Sequence, residues 1–352
     1  MIIPHKFCIF YQKKLLIIHY QMITRPTKFH LFLCYFSKIK KRAYFYTIVN
    51  IFFLDKKIIT YNFVDSLQLY EMELTEKDIK RVQDTIHSVS AYDFSDYSYN
   101  SFCRRIEKIL NDYSITLDTL IANIQDNYNY LEMVVRDITV NTTELFRDTE
   151  IWANIREMLI TRYADKPALN IWHAGCSSGQ EVYSMLIMLN ELGMLEKATV
   201  YATDINEKML NSAMSGQYKF HEVQDYIGNF DKVFNPNPQS QLTPYVDISK
   251  YIDVNKYKDY VKMSQCLVEK PLFLKHDLVS CEPIVNNEFD IIMCRNVLIY
   301  FNHYLQNKVL KSFYSCLSSD GSLIIGRHEG MIGHVASLFS KKGCIYSKNR
   351  TR

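Results

Sequence analysis

A short apolar run, Asn170–His173, ends in Gly175-Cys-Ser-Ser-Gly179 and passes at once into the helical pattern Glu181–Leu192. A strand that turns through glycines into a helix restricts the fold more than any other feature of the chain. It is the opening of a strand–helix–strand unit, and such units build parallel sheets. The rhythm continues. Trp152–Tyr163 precedes it as a helix, and Thr199–Thr203 is a second strand, ending at Asp204. Asn206–Ser215 is a helix, Phe289–Cys294 a strand, Tyr304–Cys316 a helix and Ser322–Gly326 a strand. The predicted class is α/β, with a Rossmann-like, mainly parallel, doubly wound sheet. Pro236–Lys270 breaks the rhythm, is rich in Tyr, Val and Lys, and is expected to be an insertion forming a small β-subdomain or a lid.

Upstream the pattern differs. Apolar residues recur at helical spacing through Ile79, Val82, Ile86 and Val89, then Phe102, Ile106, Ile109 and Leu110, then Leu117, Leu120, Ile121 and Ile124, with no Gly or Pro among them. Residues 72–140 are therefore expected to form a helical N-terminal domain, opened by a Thr75/Asp78 capping signal. Residues 1–71 are crowded with Phe, Tyr, Ile and Lys and have no clean period. Their longest apolar run, Ala43–Leu54, is too short for a spanning helix, which needs roughly 20 residues. Met72 is the expected native start, with 1–71 foreign to the fold; the alternative reading of 1–71 is a membrane-associated basic leader.

Eleven of the 41 Lys/Arg but only three of the 38 Asp/Glu fall in residues 1–71, so the remainder carries a net charge of −5 against +3 for the whole. A mildly acidic body gives no sign of a nucleic-acid groove. The nine cysteines have no CxxC and no regular spacing, which argues against a disulfide framework or a structural zinc site and fits a reducing cytoplasm.

Ligands of open α/β sheets bind at the carboxyl ends of the strands. Gly175 and Gly179 stand there, with spacing G-x-x-x-G rather than the G-x-G-x-x-G of dinucleotide binders. Asp204 ends the second strand, where a carboxylate accepts from a ribose diol or, alternatively, caps the helix that follows. Asp290–Phe301 runs a buried strand into Arg295, Asn296 and Tyr300, which either face the same crevice or pack. Cys176 has no His–Asp orienting set and is not read as a nucleophile, and His173 is read as structural.

The assembled motifs resemble those of the CheR-type chemotaxis receptor methyltransferases, over roughly Leu74–Tyr346. Asn141-Thr-Thr-Glu-Leu-Phe-Arg147 is similar to the family's N-x-T-x-F-F-R, with Leu145 in place of Phe. Trp172-His-Ala-Gly-Cys-Ser-Ser-Gly-Gln-Glu-Val-Tyr-Ser184 resembles W-x-A-G-C-S-x-G-E-E-P-Y-S, with Gln180 and Val182 as departures. Ala202-Thr-Asp-Ile205, Cys294–Phe301 and Gly326-Arg-His-Glu329 match three further elements in order. The resemblance implies an S-adenosyl-L-methionine-dependent methyltransferase domain over 141–352, interrupted at about 236–270. Asn141, Thr143 and Arg147 would touch the cofactor, Glu181 and Asp204 would hold its polar ends, and Asp277-Leu278, where Asn-Leu is usual, would meet the adenine. Arg295 and Asn296 would complete the cofactor site, and Arg147 and Tyr300 would stand at the transferring methyl. The implied substrate is a glutamate carboxylate of a chemoreceptor or another signalling protein, and the implied enzyme is a cytoplasmic monomer with no membrane span. The alternatives are a silent cofactor-binding scaffold and a small-molecule methyltransferase; the glycine spacing disfavours an NAD-dependent oxidoreductase.

Overall fold

The computed structural model describes residues 74–237 and 245–349. The expectations for residues 1–71 and for a start at Met72 lie outside them.

Helix α1 (Glu76–Val89) begins as its sequence predicts: Asp78 N donates to Thr75 Oγ1 (3.2 Å) and Thr75 N to Asp78 Oδ2 (3.1 Å). This reciprocal box satisfies two otherwise unpaired donors of the first turn. α2 (Tyr99–Tyr113), α3 (Leu117–Asp126) and α4 (Tyr128–Ile138) follow, and Thr116 and Asn127 side chains cap the last two. The helical stripes meet in one core, with Val82, Ile86, Ile106, Leu120, Leu131 and Val134 fully enclosed. Each such side chain stabilises the bundle by roughly 1.5–3 kcal/mol. Val89, at the end of the first stripe, is exposed.

The second layer set is built on a seven-stranded sheet of order β6-β2-β1-β7-β8-β10-β9. Its strands are β1 (Leu169–Ala174), β2 (Ala198–Asp204), β6 (Pro271–Lys275), β7 (Phe289–Cys294), β8 (Leu317–Ile325), β9 (Phe339–Lys342) and β10 (Ile345–Lys348). The first five are parallel, and β10 runs antiparallel between β8 and β9. All six residues of β7 are buried, as a central strand covered on both faces requires. Alternation divides the apolar side chains between two cores. Ile171, Val200, Ile291 and Ile324 pack on one face beside α6 (Gln180–Glu191), and Trp172, Ile292, Cys294 and Leu323 on the other beside α10 (His303–Cys316).

The expected insertion exists, with different limits. After α7 (Glu207–Ser215) the chain forms β3 (Gln217–Tyr218) and the amphipathic helix α8 (Phe220–Phe234). β4 (Ile252–Asn255), β5 (Tyr260–Met263) and the single turn α9 (Gln265–Val268) complete it. β3, β5 and β4 make a separate three-stranded antiparallel sheet. The excursion thus begins near residue 217 rather than 236, because a two-residue strand carries no readable period. α8 packs Phe230 and Phe234 against the main core. The edge strand β6 was equally illegible: it opens on Pro271, and Leu272 and Leu274 are exposed. The helix expected from Trp152 begins earlier, as α5 (Thr149–Met158), and its last turn widens to π geometry at Leu159–Tyr163.

Strand-like pairing joins the helical segment to the sheet layer. Ser98 N donates to Tyr300 O (2.8 Å), and Asn302 N donates to Asp96 O (2.8 Å), around a bridge between Tyr97 and Phe301.

Candidate functional site

The order of strands reverses between β1 and β7, and at their carboxyl ends lies a cavity. Two glycines shape the loop after β1, and Gly175 lines the cavity. Gly175 has φ +78°, and a Cβ there would stand 2.5 Å from Val297 Cγ2; Gly179 has φ +90°, and its Cβ would stand 2.8 Å from that of Ala213. A side chain at either place would be both strained and obstructed. Gly175 N and Cys176 N donate to Thr203 O (2.8 and 2.9 Å), which ties the loop to the end of β2.

Asn141, Thr143 and Arg147 form the wall that follows α4. The segment is anchored by Phe146, fully buried edge-on against Trp152, Phe230 and Phe234, with its N–H donating to Ser184 Oγ (2.8 Å). Asn141 Nδ2 donates to Thr139 O (3.2 Å) and Arg147 Nη1 to Thr142 O (3.2 Å), so both side chains are oriented by nearby carbonyls.

Glu181 lies on the first turn of α6. Its Oε2 accepts from Arg295 Nη1 (2.8 Å) and its Oε1 faces His173 Nδ1 (3.4 Å). Burial would raise this carboxyl, but the Arg295 guanidinium and His173 outweigh it and hold Glu181 below the ordinary range. Asp204 accepts from Ser177 N (2.7 Å) and Asn206 N (2.9 Å). The capping alternative for Asp204 falls to Asn206, whose Oδ1 accepts from Lys208 N and Met209 N. Burial raises the Asp204 carboxyl, and the backbone donors at Asn206, Ser177 and Ile205 only partly offset it.

At the far end Asp277 and Leu278 line the cavity beside His276 and Tyr97. Asp277 Oδ1 accepts from Val279 N (2.9 Å) and its carboxyl is pushed up by burial. His276 Nε2 stands 3.0 Å from Glu282 O, which makes Nε2 the donor and leaves Nδ1 as an acceptor. The last wall is the turn after β7, with Arg295, Asn296 and Tyr300. Arg295 is wholly enclosed, and its Nη2 donates to Asp148 Oδ2 (2.6 Å) and Arg147 O (3.1 Å). Asn296 sits at φ +62°, and the Glu329 carboxylate holds the turn by accepting from Gly326 N (2.6 Å), Asn296 N (2.9 Å) and Ile299 N (3.3 Å). Tyr300 is half-buried; burial raises its phenol, while Arg105 on α2 and Arg147 pull the other way.

Every residue given a cofactor or catalytic role from the sequence therefore lines this one cavity, whereas Gly179 does not. Arg295 differs from expectation in that its Nη donors are committed to the protein. His173, read as structural, faces Glu181 itself. Burial drives the Cys176 thiol well above its ordinary range, which removes it as a neutral-pH nucleophile. Asp148, Arg105, His276 and Glu329 were given no role from sequence. Glu329 stood within a quoted motif and Asp148 beside Arg147, but their partners are remote in the chain.

The residues suit S-adenosylmethionine. Its ammonium, ribose diol and adenine amino group each call for an acceptor, and Glu181, Asp204 and Asp277 offer three carboxylates in one cavity. Ser177 Oγ, His276 Nδ1 and Arg295 Nε are buried polar atoms without a partner among the described residues, and all three residues line it.

A doubly wound sheet with one acid on the first turn of α6 and another at the end of β2 fits the class of α/β methyltransferases that use S-adenosylmethionine. Within that class, residues 141–345 match the family described as CheR methyltransferase, SAM binding domain, and the chain belongs to that family. A Pseudomonas putida protein named as a candidate methyltransferase, Cher3, is 31% identical over 73% of this chain and 90% of its own length. The chemotaxis protein methyltransferase of Salmonella typhimurium is 26% identical over 80% of this chain and 93% of its own, and that of Escherichia coli 27% identical over 79% and 92%. The chain is thus an S-adenosylmethionine-dependent methyltransferase. No helix among the described residues is long and apolar enough to cross a membrane.

Proposed function

We propose that the chain methylates glutamate side chains of a signalling protein, with methyl-accepting chemoreceptors as the substrate class. The observation that carries this is that two guanidinium groups, Arg105 and Arg147, line the same cavity as the Tyr300 hydroxyl. Two cations and a hydroxyl donor in one cavity suit an arriving carboxylate. Relatives named chemotaxis protein methyltransferase support the receptor class.

A glutamate with a pKa near about 4.3 is already ionised at neutral pH, so no general base is needed. The cofactor supplies an electrophilic methyl group on a sulfonium. Arg147 orients the substrate carboxylate with its planar fork. Tyr300, kept protonated by burial, donates a hydrogen bond to the same group. Glu181 takes the cofactor's ammonium, with Asn141 and Thr143 beside it, Asp204 the ribose, and Asp277 with Leu278 the adenine. Asn296 shapes the wall from which Tyr300 projects. In-line alignment of this kind is worth several kcal/mol, on the order of the 7–11 available from orientation. Asp277 in place of Asn accepts from the adenine amino group but does not donate. The proposed enzyme acts in the cytoplasm as a monomer. Calorimetric binding of S-adenosylmethionine followed by transfer of labelled methyl to receptor signalling domains tests the reading. Binding without any transfer would favour the silent scaffold instead.

A further inference from the structure

The two halves of the cofactor site come from segments far apart in the chain, the Asn141–Arg147 loop and the start of α6. One enclosed side chain touches both. Arg295 Nη1 donates to Glu181 Oε2 (2.8 Å), and Nη2 donates to Arg147 O (3.1 Å) and Asp148 Oδ2 (2.6 Å). Its side chain is 0% exposed, against 16% for Glu181 and 25% for Asp148. Trp152 Nε1 donates to the same Arg147 carbonyl (3.2 Å). Asp148 does not line the cavity. Its backbone is left-handed, φ +56°, and its carboxylate meets Arg295.

We propose that Arg295 and Asp148 form a positioning clamp that couples the Arg147 loop to Glu181, so that whatever holds Glu181 in place also sets Arg147. The inference rests on the cavity being the S-adenosylmethionine site. The physical reason is the fork. A guanidinium has fixed donor geometry, so two carboxylates and a carbonyl bound to one side of it share a single arrangement. Asp148 balances the charge that Glu181 alone leaves uncompensated at Arg295 when it receives a cationic ammonium. Asp148 is thus a positioning residue that acts on a ligand it does not touch.

Asp148→Asn tests this, because Asn tolerates the left-handed backbone and keeps the shape while removing the charge. Removing the charge from a part-buried, charge-assisted hydrogen bond corresponds to about tenfold in binding. The expected result is that weakening of S-adenosylmethionine affinity by calorimetry, with a raised KM for the cofactor and a lowered kcat, at a thermal midpoint near that of the wild type. In a Glu181→Gln background the same substitution should have a much smaller effect, since the coupled partner is gone. Wild-type affinity in Asp148→Asn, or an equal loss in both backgrounds, overturns the clamp. If Asp148→Asn fails to fold, Arg295→Lys, which keeps the charge and loses the fork, must show the same joint change in KM and kcat. A wild-type chain that does not bind S-adenosylmethionine refutes the reading of the cavity itself, which is a separate result.

Discussion

At Asn296 the backbone turns left-handed, and three N–H groups of that region converge on the Glu329 carboxylate. Truncation to Ala leaves them without this acceptor in a partly enclosed place, at about 1–3 kcal/mol for each group. Because Tyr300 follows directly, Glu329→Ala should lower kcat at least about tenfold while S-adenosylmethionine affinity falls less. Glu329→Gln, which keeps one acceptor oxygen, should recover part of the loss. Steady-state kinetics with unchanged kcat in Glu329→Ala would remove it from the account. Glu181 offers a test by pH. Its folded carboxyl is held below the ordinary value of 4.5. Its ion pair therefore contributes stability above that pH, and the contribution is lost as pH falls through the depressed folded value. The stability gap between wild type and Glu181→Gln should shrink on acidification below about pH 4.5. Melting curves with a constant gap from pH 7 to 3 would contradict it. These residues also mark how far the sequence speaks. The Thr75 cap was legible because its partner is three residues on. Asp204's choice between ribose and cap, and Arg295's partners, were not, because Ser177, Glu181 and Asp148 reach them only through the fold.

Among the elements, the β1 loop and the turn after β7 press directly on one another. Gly175→Ala combines a backbone cost of about 1–2 kcal/mol for φ +78° with a Cβ 2.5 Å from Val297 Cγ2. Cofactor affinity should fall about tenfold or more, since the loop cannot keep its place under both the strain and the clash. Adding Val297→Ala should restore part of the affinity by removing the clash but not the strain. Calorimetry that finds Gly175→Ala equal to wild type would show that the loop does not need glycine. The glycines and strands β1, β2 and β7 were readable because apolar runs of central strands are long and end in punctuation. β3, β6 and α8 were not. Two residues carry no period, an edge strand exposes Leu272 and Leu274, and α8 falls between the helix expected at Asn206–Ser215 and the insertion expected from Pro236, where no element was assigned.

For the whole molecule, the cavity belongs to neither layer alone. Tyr97, Ser101 and Arg105 come from the helical segment, the acids from the sheet layer, and the isolated bridge between Tyr97 and Phe301 holds them together. That arrangement is what makes a carboxylate acceptor at Tyr300 physically reasonable. The most direct test is transfer of labelled methyl from S-adenosylmethionine to purified receptor signalling domains, with the modified peptides mapped by mass spectrometry. The account predicts alkali-labile label on glutamate side chains. It also predicts that Arg147→Ala cuts the transfer by about a hundredfold through misorientation of the carboxylate. Label on no glutamate, or transfer within about twofold of wild type in Arg147→Ala, would contradict it.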